Sequence, residues 1–411
     1  MARLLKLSLT SWMLLAMVSG ACLGLLAPQW GDRLEFLSTI FLRLIRSIIA
    51  PVLVGVLLRA IAGAGSLGSL GRIGWKSVVC FETATTIALL LGWFAVELTQ
   101  PGAGFALESA ASAGAAPSTT LTEALESAVP TSIVDALARG DVVQIVVFCF
   151  LFGIACLSVG KRARPVVEFA DALAEVAFRY TAYVMYLAPL AVFAAAANAF
   201  AHGGESALEG LVSFSAVAWA AQALFLAVIL LGALLVLQVP VGRFARFARE
   251  PFVIGFATTS SAAALPQTLE KIERFGVPRR ILGVVAPLSL SLNMNGSTIH
   301  LGMATLFIAQ AAGIQLSLEQ QVVILLTLKL TSKGVAGVPR ANFVILAAVF
   351  EAHGLPMEGL AVLLGIDALI DPIRTSVNVA SHCVAPVVVA RWEGSSFAEG
   401  SGTPDAAGPL P

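Results

Sequence analysis

Long apolar runs alternate with short charged stretches along most of this chain. A membrane-spanning helix needs about 20 mostly apolar residues, and runs of that length fall at 8–28, 35–64, 75–99, 140–160, 167–200 and 211–239. Two more long apolar helices are predicted near 280–312 and 357–391. Between them, 251–277 and 318–352 are apolar but broken in the middle by small, polar and proline residues. The pattern predicts an all-α polytopic membrane protein with eight transmembrane helices and two interrupted segments.

Charge supplies the orientation. Arg3 and Lys6 precede the first run; Arg59, Arg72 and Lys76 follow the second; Lys161, Arg162 and Arg164 follow the fourth; Arg243, Arg246 and Arg249 follow the sixth. The alternate connections hold few cations, Arg33 and Arg139 among them. Positive residues stay on the cytoplasmic side, so both termini are expected in the cytoplasm. Lys271, Arg274, Arg279 and Arg280 follow the first broken segment, which must therefore enter and leave from the cytoplasmic side as a re-entrant hairpin. By parity the second enters and leaves from outside. Their tips align without gaps: TTSSAAALP at 258–266 and TSKGVAGVP at 331–339 share the first Thr, the Ala263/Ala336 position, an apolar residue before the end, and the final Pro. Each is followed by a long helix with a polar interior. Two such units entering from opposite sides form an inverted repeat, the arrangement with which secondary transporters build a wet cavity at mid-membrane. The expected organisation is six helices over 1–239, a core transport region over 251–393 and a disordered cytoplasmic tail over 394–411. The stretch 101–120 is expected as an external loop.

Composition agrees. Of 411 residues, 12% are charged against 58% hydrophobic, about half the charge of a soluble domain, and a net charge of zero gives no reason to expect a nucleic-acid partner. The five cysteines lie in or beside apolar runs without a CxxC pair and read as small buried thiols. The four histidines are too far apart in sequence to make a metal site. Arg3 and Lys6 before an apolar run ending at Ala21-Cys22 resemble a signal peptide, but the run continues through Leu26, and a first transmembrane helix is the simpler reading.

The last span carries Asp367, Asp371, Arg374, Asn378 and His382, spaced to share one helical face. Ionisable residues within a span are costly and point to function by default; the plainer alternative, a structural Asp–Arg pair, fits Asp367 alone. A buried guanidinium needs an anion, so Arg374 is expected to meet either Asp371 or a solute carboxylate. Asp371 is suited to an ammonium. Together they describe a small acidic solute, an amino acid with an acidic side chain.

At these residues the chain resembles the dicarboxylate/amino acid:cation symporter family. The likeness runs over nearly the whole chain and is carried by residues 130–155, TSSAAALP (259–266), NMNGST (293–298), TSKGVAGVP (331–339) and DALIDPIRTSVNV (367–379). It implies a glutamate-transporter-like elevator fold, eight transmembrane helices with two re-entrant hairpins, assembled as a homotrimer in the inner membrane. It also implies site roles: Arg374 for the solute's side-chain carboxylate, Asp371 for its amino group, Asn378 for its α-carboxylate, with Thr375, Ser261, Ser297 and the Val338 amide assisting, and 318–352 as the outer gate. No cofactor is implied beyond a coupling ion, sodium or a proton. Two carboxylates of the sodium-coupled pattern are missing here, one replaced by Asn295 and one by His382. A site built from backbone carbonyls near Ser291, Met294 and Ser332, with Asn293 and Asp367 as further coupling candidates, remains open. His382 is open to two readings: a titrating coupling group, or a fixed cation or hydrogen-bond donor that replaces the sodium charge permanently. His300 is expected to be a histidine with a satisfied hydrogen bond rather than a proton carrier, and Glu82 to pair with Lys333 or cap a helix.

Other classes fit less well. A membrane hydrolase would need Ser260 or Ser261 beside His382 or His300, and no GxSxG is present. A solute-gated anion channel differs only in its electrical behaviour. A C4-dicarboxylate carrier is the closest rival, and Asp371 weighs against it because a dicarboxylate has no ammonium.

Overall fold

The computed structural model describes residues 9–62, 71–105, 126, 129–332 and 341–397, and every regular element among them is a helix. In chain order these are α1 (Leu9–Leu26), α2 (Gln29–Ala62), α3 (Gly71–Thr99), α4 (Ile133–Arg139), α5 (Val142–Val159), α6 (Arg164–Val184), α7 (Ala188–Leu224), α8 (Leu231–Val236), α9 (Val241–Thr258), α10 (Ser261–Phe275), α11 (Arg279–Leu292), α12 (Asn295–Ala311), α13 (Leu318–Thr331), α14 (Ala341–Ala352) and α15 (Glu358–Trp392). Four helical stretches, Gln29–Gly55, Arg72–Thr99, Gln144–Gly204 and Ser206–Val236, are long and apolar enough to cross a membrane. Phe36, Phe94, Leu98, Phe150, Leu151 and Phe169 are exposed along them. Large apolar side chains displayed in such number suit lipid rather than water, and this is a multi-pass membrane protein.

The apolar runs locate the helices well, and the differences have physical causes. The connection expected at 201–210 is a bend inside α7: Gly204 takes φ 52°, ψ −130°, a conformation open to glycine and costly for other residues. The first broken segment begins at Val241, ten residues before the expected 251. Arg243, Arg246 and Arg249, which mark a loop by charge, lie on α9, an amphipathic helix whose buried residues include Phe244, Pro251 and Gly255. Helices α9 and α10 pack side by side about a tight turn in which Thr259 is left-handed (φ 49°) and the Ser260 hydroxyl caps α10 by accepting from Ala263 N at 3.2 Å. They form a helical hairpin with its tip at 258–261. The predicted helix at 280–312 divides at Asn293-Met294 into α11 and α12. Of the second hairpin the arms α13 and α14 pack together; its tip, with Lys333 and Val338, lies outside the described residues, as does most of the 101–120 loop.

The expected disorder of 394–411 is corrected at its start. Glu393 buries its carboxylate between Arg72 (2.7 Å) and Lys76 (2.6 Å) of α3, and Lys76 also donates to Trp392 O at 3.1 Å. Phe397 is buried against Phe275, ring centroids 5.2 Å apart, and Arg243 donates to the carbonyls of both. Residues 393–397 thus strap α15 to α3 and to the base of the first hairpin. The two cations hold the Glu393 carboxyl well below its ordinary range, at about 2, chiefly through the hydrogen bonds from Arg72 and then Lys76. Residues 398–411 lie outside the described residues. The cysteines also divide: Cys149, Cys156 and Cys383 are buried as expected, whereas Cys22 is exposed and Cys80 half-buried.

The protein is organised around α15, which packs against α1, α3, α7, α9, α10, α11 and α12. Of its 35 residues, 27 are buried. Any charge it carries at mid-length must therefore be answered from within the protein.

Candidate functional site

The charged face of α15 answers itself. Arg374 is 2% exposed. Its Nη1 donates to Asp367 Oδ1 at 2.6 Å and its Nη2 to Asp371 Oδ1 at 2.6 Å. The expected pairing with Asp371 is present, and Asp367 is a second partner. Both are one or two turns away on the same helix, so the cluster is built by spacing alone. The Thr375 hydroxyl donates to the same Asp371 oxygen at 3.1 Å. The three ionised groups sum to one negative charge. Asp367 is sealed in, whereas the Asp371 side chain retains 17% exposure.

One turn further along α15, Asn378 meets the start of α12. Its Oδ1 accepts from Ser297 N at 3.1 Å and its Nδ2 donates to Ser297 Oγ at 3.0 Å. Asn342 of α14 donates to the same hydroxyl at 3.2 Å. The break at Asn293-Met294 is what makes this possible: a helix that starts inside the protein presents free N–H groups and the positive end of its dipole. Gly296 lets α12 lie directly on α15. A Cβ there would collide with the Arg374 carbonyl oxygen and come within 3.1 Å of Gln222 Oε1. The first hairpin reaches the same place: Gly255 packs on Val379 and Thr375, and Ser376 Oγ donates to Phe252 O at 3.4 Å. Ser261, the last residue of the tip, is buried.

The two positions that lack a carboxylate share a second cluster. Asn295 Nδ2 donates to Asn293 Oδ1 (2.9 Å) and Ser381 Oγ (3.1 Å), while its Oδ1 accepts from Thr85 Oγ1 of α3 (3.3 Å). Asn293 Nδ2 donates to Ser289 Oγ and Ser381 O, each at 3.2 Å. Ser289 Oγ lies 2.9 Å from His382 Nδ1. Each of these groups is uncharged or, for His382, surrounded by uncharged groups. The Met294 carbonyl accepts from the Thr298 amide (2.9 Å) and hydroxyl (3.0 Å), and Ser332 Oγ donates to Lys329 O at 3.2 Å.

One expectation, at His300, changes. His300 has no hydrogen-bond partner at either ring nitrogen although it is 0% exposed. Glu82 pairs with Lys329 at 3.2 Å. Val338 lies outside the described residues. Asn342, Gln222, Ser289, Ser381 and Thr85 belong to the site and were not singled out from the sequence. Gln222 carried a signal, being the one amide in the apolar run 216–231, where a polar side chain seeks a partner across a helix interface. Among the described residues no cluster of His, Cys, Asp and Glu is arranged to hold a metal ion.

Residues 9–392 match the family described as the sodium:dicarboxylate symporter family. The chain is 35% identical over 389 residues to the proton/glutamate-aspartate symporter of Bacillus subtilis (strain 168), covering 92% of this chain and 94% of that protein. It is 33% identical over 401 residues to the proton/sodium-glutamate symport protein of Geobacillus stearothermophilus, covering 95% of each. It is 38% identical over 400 residues to the C4-dicarboxylate transport protein of Anaeromyxobacter sp. (strain K), covering 94% of this chain and 90% of that one.

Proposed function

The chain belongs to the sodium:dicarboxylate symporter family, and from that premise we propose that it is a secondary transporter carrying an acidic amino acid, aspartate or glutamate, together with a cation. Membership places it among transporters rather than enzymes. The observation that carries the substrate reading is the division of labour at Asp371. Arg374 and Thr375 both bond to its Oδ1, which leaves Oδ2 to an ammonium, while the guanidinium beside it suits a carboxylate. Asn378 and Ser297, at the start of α12, suit the α-carboxylate. Ser261 and the Val338 amide complete the set from the two hairpin tips.

The proposed architecture is eight transmembrane helices and two re-entrant hairpins, with both termini in the cytoplasm of an inner-membrane protein. The region 251–393 moves as an elevator against a trimeric scaffold drawn from 1–239. The charge-free cluster at Asn293, Asn295 and His382 supports coupling to fewer sodium ions than a carboxylate-bearing site would take, since carboxylates supply much of the attraction that offsets ion dehydration. Within that cluster His382 serves as a hydrogen-bonding member rather than as the coupling group. Asp367, Met294 and Ser332 remain the groups around which a residual sodium site would form.

A C4-dicarboxylate substrate is the second reading, favoured by the 38% identity to a relative of that name. Uptake into proteoliposomes separates the two. Labelled aspartate should exchange and should be displaced by unlabelled aspartate well below the concentration of succinate that displaces it. Equal competition by succinate refutes the amino-acid assignment. Sodium and proton gradients imposed one at a time identify the coupling ion; steep sodium dependence with no response to pH refutes the coupling reading.

A further inference from the structure

The seam between α12 and the second half of α7 holds polar atoms that nothing in the protein answers. His300 and Gln222 are each 0% exposed. Both ring nitrogens of His300 and the Oε1 of Gln222 lack any hydrogen-bond partner. Leaving such groups dry and unpaired is costly, and a fold retains them where they have something to bind. Gln222 is fixed to α12 by its Nε2, which donates to Gly296 O at 2.8 Å. His300 follows one turn later on the same helix, its ring edge-on to Phe214 of α7. Gly296 in turn lies against the backbone of Arg374. A line of direct contacts therefore runs from the charged cluster of α15 through Gly296 and Gln222 to the turn that carries His300.

We propose that His300 is a site that takes up one proton when the acidic solute binds at Arg374. The proposal rests on the acidic-solute reading given above. Its basis is charge balance. Arg374, Asp367 and Asp371 sum to one negative charge, and an acidic amino acid adds a second. A core with that charge resists enclosure in a low-dielectric environment unless a cation accompanies it. Asn295 and His382, where carboxylates are replaced, offer a metal cation little. A proton on His300 supplies one positive charge inside the protein, on a ring whose two nitrogens are otherwise unpartnered. Binding and protonation assist each other: the guanidinium repels a second cation nearby, and a carboxylate settling on Arg374 removes that repulsion.

The surroundings leave this role to His300. Opposite the ring, α7 from Phe214 to Leu224 has no ionisable residue. On the other helices packed against α12, Glu82 of α3 is engaged by Lys329 of α13, and Glu351 of α14 pairs with Arg46. Glu97 of α3 lies level with Gln310, about 15 Å further along. The charges that bear on the ring are those of α15: Asp367, Asp371 and Arg374, with His382 set in its own neutral cluster.

The test measures aspartate affinity against pH for the whole chain and for His300→Gln and His300→Asn. One linked proton makes the wild-type affinity fall roughly tenfold per pH unit above the titration midpoint. In the variants the slope should vanish and a proton gradient should cease to drive accumulation, while aspartate exchange between equal pools continues. Variants that keep the wild-type slope and drive overturn the proposal. So does a wild-type affinity independent of pH, whatever the variants do. As a check that needs no His300 variant to fold, nitrogen-15 histidine spectra, assigned by replacing His202, His353 and His382 one at a time, should show the His300 ring become doubly protonated on adding aspartate. A ring that stays neutral while aspartate binds overturns the assignment. Absence of both aspartate and succinate exchange refutes the substrate reading and the proposal with it, an outcome distinct from a pH-independent binder.

Discussion

Replacing Asn295 by Asp restores a carboxylate at one of the two positions where the sodium-coupled pattern has it, and the structure sets the cost. Asn295 Nδ2 donates to Asn293 Oδ1 and Ser381 Oγ. A carboxylate has no donor for either. Ser381 cannot reverse the bond, because its own proton is committed to Val377 O at 2.8 Å, and Asn293 Oδ1 would face a like-charged oxygen. Thr85 alone still suits an acid. Losing two bonds to buried partners costs about 1–3 kcal/mol each, and the desolvated charge adds several kcal/mol more. Asn295→Asp should therefore lose roughly 5 kcal/mol of stability without sodium. An ion present at about 100 times its dissociation constant returns about 2.7 kcal/mol. Thermal unfolding of the detergent-solubilised protein in choline chloride and in sodium chloride reads both quantities. The variant should melt lower than wild type in choline and recover part of the loss in sodium, whereas wild type should differ little between the salts. A variant as stable as wild type in choline would show that the amide donors do not matter. Equal sodium stabilisation of the two proteins would show that the carboxylate is not what a sodium site here lacks.

Three further outcomes follow from the geometry. Asp371→Ser removes the oxygen offered to an ammonium, so aspartate exchange should weaken at least tenfold more than succinate exchange in proteoliposomes; parallel losses point to a structural role. Gly296→Ala drives a methyl group into the Arg374 carbonyl, a backbone atom that cannot swing aside, and should cost about 1–3 kcal/mol in thermal unfolding together with most aspartate uptake. Glu393→Gln removes a carboxylate whose pKa in the folded protein is about 2 against an ordinary 4.5. A depressed carboxyl stabilises above its ordinary pKa and ceases to do so as pH falls through the folded value. The stability gap between wild type and Glu393→Gln should be flat above pH 4.5 and close as pH falls toward 2, and a pH-independent gap would refute the pairing with Arg72 and Lys76.

How legible each feature was in the sequence depends on the range of the interaction that makes it. Apolar length is a local property, and it located the helices. The α15 cluster was legible for the same reason: Asp367, Asp371 and Arg374 are neighbours through helical spacing, and a buried guanidinium must find an anion. Arg243, Arg246 and Arg249 misled because charge marks the membrane boundary without distinguishing a loop from an amphipathic helix that continues through it. The bend at Gly204 turns on one residue's backbone freedom and leaves no trace in hydropathy. Phe397 was hidden for another reason: its neighbours are Gly, Ser and Glu, which read as tail, and its partner Phe275 is 122 residues away. His300 failed in the opposite sense. A buried histidine is ordinarily hydrogen-bonded, and only the packing of α12 on α7 reveals that this one is not.

The two missing carboxylates are one feature rather than two, and the hydroxyls between them show why. Ser381 Oγ accepts from Asn295 and Ser381 O accepts from Asn293, and Ser381 immediately precedes His382. Ser289 Oγ accepts from Asn293 and also contacts His382 Nδ1. Ser289 Oγ and His382 Nδ1 share one hydrogen bond whose donor is set by the imidazole tautomer, and His382 Nε2 has no hydrogen-bond partner. Asn295 and His382 thus terminate a single chain of bonds through Asn293, Ser381 and Ser289. Each amide supplies donors that a carboxylate would not. Restoring a carboxylate at either end alone would leave the rest of the chain arranged for a neutral partner, whereas restoring both would require Asn293, placed between them, to turn its oxygen toward a cation. A single substitution therefore tests the fit of that whole chain of bonds before it tests an ion.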